Sequence, residues 1–169
     1  MRMEFRVLQW IQANMRCRFL DALMPLVSAM GNGGVVWLLA AAAMTCSRTY
    51  RRFGLLLAAG LIIGVLIGNV CMKNLVARSR PCWREPSVKL LISNPRDYSF
   101  PSGHTLSSTI AAVIITSANR KFGYAAIPLA SAISFSRLYL YVHFPSDVLG
   151  ASCLGLVLAS VVLHFGLQL

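Results

Sequence analysis

FGLLLAAGLIIGVLIGNVCMK, residues 53–73, runs for about 20 residues before its first charge at Lys73, the length a helix needs to cross a hydrocarbon core of ~30 Å. This stretch predicts a membrane-spanning helix. Gly60, Gly64 and Gly68 recur along it at every fourth position, a small-xxx-small ladder that lets a neighbouring helix approach closely, so a packing role is expected of them. The rest of the chain has the same character. Of its 169 residues 57% are hydrophobic and 12% charged, far from the balance of a soluble domain. Its 16 Lys and Arg against 5 Asp and Glu give a net charge of +11, a bias suited to phosphate in lipid headgroups or in a substrate. Nucleic acid is excluded as a partner, because basic nucleic-acid modules are not built from bilayer-length apolar segments.

Outward from 53–73, the remaining apolar runs predict further spans at 32–47, 103–118, 123–142 and 148–166. The basic turns 48–52 and 119–121 and the segment His143–Asp147 separate them. Residues 3–29 place Phe5, Leu8, Ile11, Met15, Phe19, Leu23 and Leu26 near the helical repeat among polar residues, which predicts one amphipathic helix lying in the interface. Arg6, Arg16, Arg18 and Asp21 break any signal-peptide core, so retention of this segment is expected. Gly31-Asn32-Gly33-Gly34 ends it. The segment 74–101 is polar, with Arg78, Arg80, Arg84, Lys89 and Arg96 and with Pro81, Pro86 and Pro95, and is expected to be a loop at the site. The expected fold is all-α: an integral membrane helical bundle of about five transmembrane helices plus the N-terminal amphipathic helix, forming a single domain over residues 1–169. The cysteines form no C-x-x-C pair, so neither a zinc site nor a disulfide framework is expected.

If the spans cross alternately, one membrane face collects Lys73, Arg80, Ser102, Gly103, His104, Ser136, Arg137, His143 and Asp147. A lone cation at a helix end is ordinarily an anchor, but Lys73, Arg80 and Arg137 together repel one another unless an anion sits among them. Lys73 and Arg80 lie two helical turns apart, ~10 Å, if the helix continues that far. Pro101-Ser102-Gly103-His104 reads as a helix start, with Ser102 as N-cap and free backbone N–H groups facing any docked anion. His143 and Asp147 have the i, i+4 spacing that puts both on one face, where the carboxylate can hold one ring nitrogen and leave the other as nucleophile or base. His104 then has a separate task open to it. Phosphoryl transfer needs a nucleophile, cations and an acid, and no carboxylate cluster suggests a metal in place of the arginines.

The motifs KNLVARSRP (Lys73–Pro81), PSGH (Pro101–His104) and SRLYLYVHFPSD (Ser136–Asp147) resemble, in order and spacing, the three signatures of the type 2 phosphatidic acid phosphatase family. The resemblance implies a metal-independent lipid phosphate phosphatase without a cofactor. In it His143 attacks phosphorus to form a phosphohistidine, Asp147 orients His143, and His104 protonates the leaving oxygen. Lys73, Arg80, Arg137, Ser102 and the Gly103 N–H would hold the phosphoryl oxygens. It further implies a multi-pass protein of the cell (inner) membrane with its site at the extracytoplasmic face. The lipid partner it implies is a substrate such as undecaprenyl pyrophosphate, phosphatidate, phosphatidylglycerophosphate or lipid A 1-phosphate, with a preference for the first. Two alternatives stand beside it: a vanadate-dependent haloperoxidase-like activity, which the spans argue against, and a non-catalytic lipid-binding membrane protein, against which the intact His104, His143 and Asp147 speak. Trp10, Trp37 and Trp83 read as interface anchors. Leu90-Leu91-Ile92 reads as a triplet dipping into the interface, and His164 as an interfacial or packed side chain.

Overall fold

The computed structural model describes residues 2–168, and every regular element among them is helical. The helices are α1 (Arg2–Asn14), α2 (Arg18–Met30), α3 (Val35–Cys46), α4 (Arg51–Gly64), α5 (Lys73–Val76), α6 (Pro81–Arg84), α7 (Gly103–Ala118), α8 (Arg120–Tyr139) and α9 (Pro145–Gly166). A 3-10 turn, Asn32–Gly34, joins α2 to α3, and a π-helical stretch, Val65–Met72, carries α4 on into α5.

Helix α7 is the hub. It packs against α8, α9 and α4, and Leu106, Ile110, Ala111 and Ile114 are buried on it. A helix apolar all round its circumference is stable only when neighbours surround it, which is its situation here. The glycine ladder of the opening stretch faces this helix. A Cβ on Gly60 would stand 3.0 Å from Ile110 and one on Gly64 2.8 Å from the same side chain, while Gly68 abuts Leu106.

At the end of the bundle away from Lys73, the two basic turns meet: Asn119 Nδ2 donates to Tyr50 Oη at 3.0 Å, and Tyr50 stacks edge-on against Phe122. Arg52 reaches the Gly166 carbonyl at the same end, through Nη2 at 2.9 Å. The polar residues of the signature motifs are thereby left together at the other end.

By length and composition, two helical stretches can cross a membrane, those beginning at Arg51 and at Pro145. A third crossing results if α2 and the segment Asn32–Cys46, bent by 48° at their junction, count as one. Helix α7, with 16 residues, is short for a crossing, and α8 carries Arg120, Lys121 and Arg137, which lower its hydropathy.

Several expectations change. Residues 3–29 are not one amphipathic helix, because the backbone turns extended at Cys17 and α2 starts afresh after it. Arg16 Nε and Asp21 Oδ1 pair across the break at 3.1 Å. The second half, α2, is long and apolar enough to cross a membrane only when taken together with Asn32–Cys46. Trp37 is no anchor: it is 2% exposed, and its indole N–H donates to Ser108 Oγ at 2.9 Å. Leu90, Leu91 and Ile92 are half-buried against the apolar cluster that includes Ile11, Met24 and Tyr139 instead of dipping outward.

Candidate active site

A cavity of about 760 Å³ opens at the end of the bundle that holds the motifs. Lys73, Arg80, Gly103, His104, Arg137 and His143 line its polar end, and Leu38, Leu61, Ile62, Val65 and Leu66 its apolar end. Of these apolar residues Leu38, Ile62, Val65 and Leu66 are also exposed on the outer surface of the bundle.

The helix from the opening stretch stops earlier than the spacing suggested. Ala77 adopts a left-handed backbone (φ 45) and ends α5, and Arg80 stands extended before Pro81 at the start of α6. Lys73 and Arg80 therefore do not share a helix face. They converge through Asp97, whose carboxylate takes a hydrogen bond from Lys73 Nζ and another from Arg80 Nη2 at 2.7 Å. Arg80 Nε donates to the Asp97 carbonyl at 2.7 Å as well. Burial acts to raise the Asp97 carboxyl, but the Lys73 hydrogen bond and the Arg80 charge outweigh it and hold it down at about 2. An anion thus already occupies the place between these cations.

His143 is 1% exposed, on the turn between α8 and α9. Tyr141 in that turn has φ 61, a backbone uncommon for an aromatic residue, and its hydroxyl is tied to Glu85. On one side of the imidazole, Nδ1 lies 3.6 Å from Asp147 Oδ2. Ser99 Oγ sits beside both, donating to Asp147 Oδ2 at 2.5 Å and 3.5 Å from Nδ1. On the other side, Nε2 faces Arg80 Nη1 at 3.0 Å. Burial, followed by the nearby arginines, pushes the imidazole well below its ordinary value, against the opposing pull of Asp147. A neutral ring whose unprotonated Nε2 accepts the Arg80 N–H is the form this environment favours.

Asp147 is fully buried near the start of α9, where Pro145 opens the helix and the carboxylate accepts the Phe144 N–H at 2.8 Å. Its other oxygen takes a hydrogen bond from Arg78 Nη1, while Arg78 Nη2 holds Glu4 of α1 at 2.8 Å. Arg137 is 4% exposed, bonds Ser28 of α2 through Nη1, and leaves its buried Nε without a partner at the cavity wall. An orphaned guanidinium N–H of this kind is costly unless an anion meets it.

Ser102 and Gly103 differ from each other. Ser102 caps α7, its Oγ accepting from Thr105 N at 3.5 Å and from Thr105 Oγ1 at 3.1 Å, and it is fully buried. Gly103 lines the cavity, where a Cβ would meet Asn69 Oδ1 at 2.8 Å. His104 follows in the first turn of α7, with Nε2 2.9 Å from Asn32 Oδ1. Among the described residues no group of three or more His, Cys, Asp or Glu is placed to hold a metal ion.

The family model described as the PAP2 superfamily matches residues 53–168, which contain all of these motifs. The chain belongs to the PAP2 superfamily. This PAP2 chain is 33% identical over 137 residues to an undecaprenyl-diphosphatase of Sulfolobus acidocaldarius, covering 80% of this chain and 66% of that protein. It is 34% identical over 113 residues to a decaprenylphosphoryl-5-phosphoribose phosphatase of Mycobacterium tuberculosis, covering 66% of this chain and 60% of that protein. The chain therefore spans somewhat less than two thirds of the length of these relatives. In fold it is similar to the crystal structure of a transmembrane PAP2-type phosphatidylglycerolphosphate phosphatase from Bacillus subtilis, with a TM-score of 0.79 and 24% identity. That match covers 99% of this chain and 86% of the other.

Reading the sequence alone missed Asp97, Ser99, Arg78 and Asn32. Asp97 offered one signal, as the lone acidic residue between Pro86 and Pro101 in a basic loop next to PSGH. Arg78 and Asn32 offered none, because their partners lie about seventy residues away along the chain.

Proposed function

We propose that this PAP2 protein is a lipid phosphate phosphatase working through a phosphohistidine, with His143, His104 and Asp147 in the chemistry. The observation that carries this reading is the buried His143, its Nε2 3.0 Å from the guanidinium of Arg80 in a cavity that also holds Lys73, Arg137 and His104. Nε2 attacks the terminal phosphorus, the bond from that phosphorus to the leaving oxygen breaks (the oxygen of the lipid in a monophosphate, of the lipid monophosphate in a diphosphate), and His104 gives that oxygen its proton. Water then attacks the phosphohistidine and inorganic phosphate leaves. Asp147, with Ser99, holds Nδ1, so that the positive charge that develops on the ring meets a carboxylate. Lys73, Arg80, Arg137 and the Gly103 N–H neutralise the equatorial oxygens, the task electrostatic stabilisation performs in phosphoryl transfer. Ser102 serves by starting the helix that presents Gly103 and His104.

The cavity's apolar end, which opens beside exposed Ile62, Val65 and Leu66, suits a lipid tail reaching in from the bilayer. Helices α7 and α8 are proposed to cross the membrane with the more apolar stretches, giving about five crossings in one membrane-embedded unit. On the family resemblance, the site is proposed to face the extracytoplasmic side of the cell membrane. For the substrate, a polyprenyl diphosphate is proposed, supported by the undecaprenyl-diphosphatase relative.

Purified protein in detergent and EDTA is expected to release phosphate from undecaprenyl diphosphate faster than from phosphatidate, phosphatidylglycerophosphate or lipid A 1-phosphate. His143→Ala should lower that rate by about 10³-fold or more. Activity lost to the chelator but indifferent to His143 would overturn the proposal.

A further inference from the structure

The break between α2 and α3 has no part in the chemistry so far, yet it lies against His104. Gly31 leaves room for the imidazole, since a Cβ there would stand 2.7 Å from His104 Cδ2 and 2.9 Å from Ile133 Cγ2. Gly33 and Gly34 follow with φ of +58 and +69, a consecutive left-handed turn that side chains other than glycine resist. That turn places Asn32 on the cavity wall with its side-chain oxygen 2.9 Å from His104 Nε2.

We propose that Asn32 is a positioning residue for the general acid, its amide oxygen holding the proton of His104 on Nε2. The assignment rests on the phosphatase reading above. An imidazole that is to give up a proton must first carry it, and Lys73, Arg80 and Arg137 line the same cavity as His104. A protonated ring meets like charge there, so an acceptor on Nε2–H favours the charged form that the first step requires. Asn32 supplies that acceptor without a negative charge that would compete with the substrate for the cations. When the lipid phosphate binds, the leaving oxygen takes over the same hydrogen bond. As the bond from phosphorus to oxygen breaks, its electron pair stays on the oxygen, the proton crosses from Nε2, and His104 is left neutral with its Nδ1 proton in place.

The test compares two single-chain substrates in the same micelles: dodecyl phosphate, whose alkoxide needs a proton to leave, and 4-dodecyl-2-nitrophenyl phosphate, whose phenolate does not. Asn32→Ala is expected to lower kcat on the alkyl phosphate by about 10- to 100-fold, part of the 10²- to 10⁴-fold typical of general acid catalysis, and to change the aryl rate by no more than about threefold. His104→Ala should show the same pattern more strongly, and the double variant should be no slower than His104→Ala alone, because the two residues act as one unit. Equal losses on both substrates, additive losses in the double variant, or no loss on the alkyl phosphate would each overturn the assignment. Retained aryl activity shows that the variant is folded. If the wild-type protein hydrolyses neither these substrates nor undecaprenyl diphosphate, the phosphatase reading itself fails, and the assignment with it.

Discussion

Asp97 is the residue whose role the structure changes most. Its carboxylate holds Lys73 and Arg80 together and so stands where the phosphoryl oxygens of a substrate would stand. On the phosphatase reading proposed above, substrate displaces it. The side chain is 55% exposed, so the ion pairs are well screened and removing them is worth about 1 kcal/mol, a factor of about five in binding. Asp97→Asn is therefore expected to lower KM for the lipid phosphate about fivefold with kcat little changed. Because the carboxyl is held down at about 2, it stays charged throughout the working range, so the gain should be constant from pH 5 to 8 and fade only under strong acid. Steady-state kinetics across that range check this. A raised KM would mean that Asp97 aligns the two cations rather than competing for them.

At the scale of elements, the ladder Gly60, Gly64 and Gly68 is the contact that lets α4 and its π-helical continuation lie close to α7. Since α7 begins with Gly103 and His104, that approach also sets the floor of the cavity. Gly64→Val would drive a branched side chain into Ile110, where even a Cβ stands 2.8 Å away. Overpacking of this kind costs about 1–3 kcal/mol, and melting of the purified protein should fall by about 2–4 °C for each of them. The same branch placed at exposed Ala59, Ala59→Val, should leave Tm nearly unchanged. A Gly64→Val protein as stable as the wild type would show that α4 and α7 are further apart than described.

The elements also explain what the sequence could and could not convey. The long span and its glycine ladder were legible because bilayer length and a four-residue repeat are local properties. Lys73, Arg80, Gly103, His104, Arg137, His143 and Asp147 were legible from motif spacing, and all are brought to one end of the bundle. The break at Cys17 was not, because the apolar repeat of residues 3–29 runs through it with neither glycine nor proline to mark it. Trp37 looked like an anchor because nothing near it in the chain reveals the Ser108 hydroxyl that takes its N–H. Asp97, Ser99 and Asn32 act across the fold from irregular segments, where no periodicity indicates which way a side chain points.

For the whole molecule the open property is sidedness, and it decides which pool of lipid the site can reach. The two turns joined by Tyr50 and Asn119 lie at one end, and the loop that carries Ile92, Pro95 and Asp97 borders the cavity at the other. Lys121 and Lys89 are exposed representatives of those two ends. With the native cysteines replaced, Lys89→Cys should react with a membrane-impermeant maleimide in intact cells, whereas Lys121→Cys should react only after the membrane is opened. The converse pattern would turn the site toward the cytoplasm and confine it to lipid phosphates made on that face. Labelling of both positions from one side would contradict the separation of the two ends itself. Charge does not divide evenly between the ends: five of the 16 basic residues lie in the turns 48–52 and 119–121, whereas Arg2 and Arg6 belong to α1, whose Glu4 pairs with Arg78 at the cavity end.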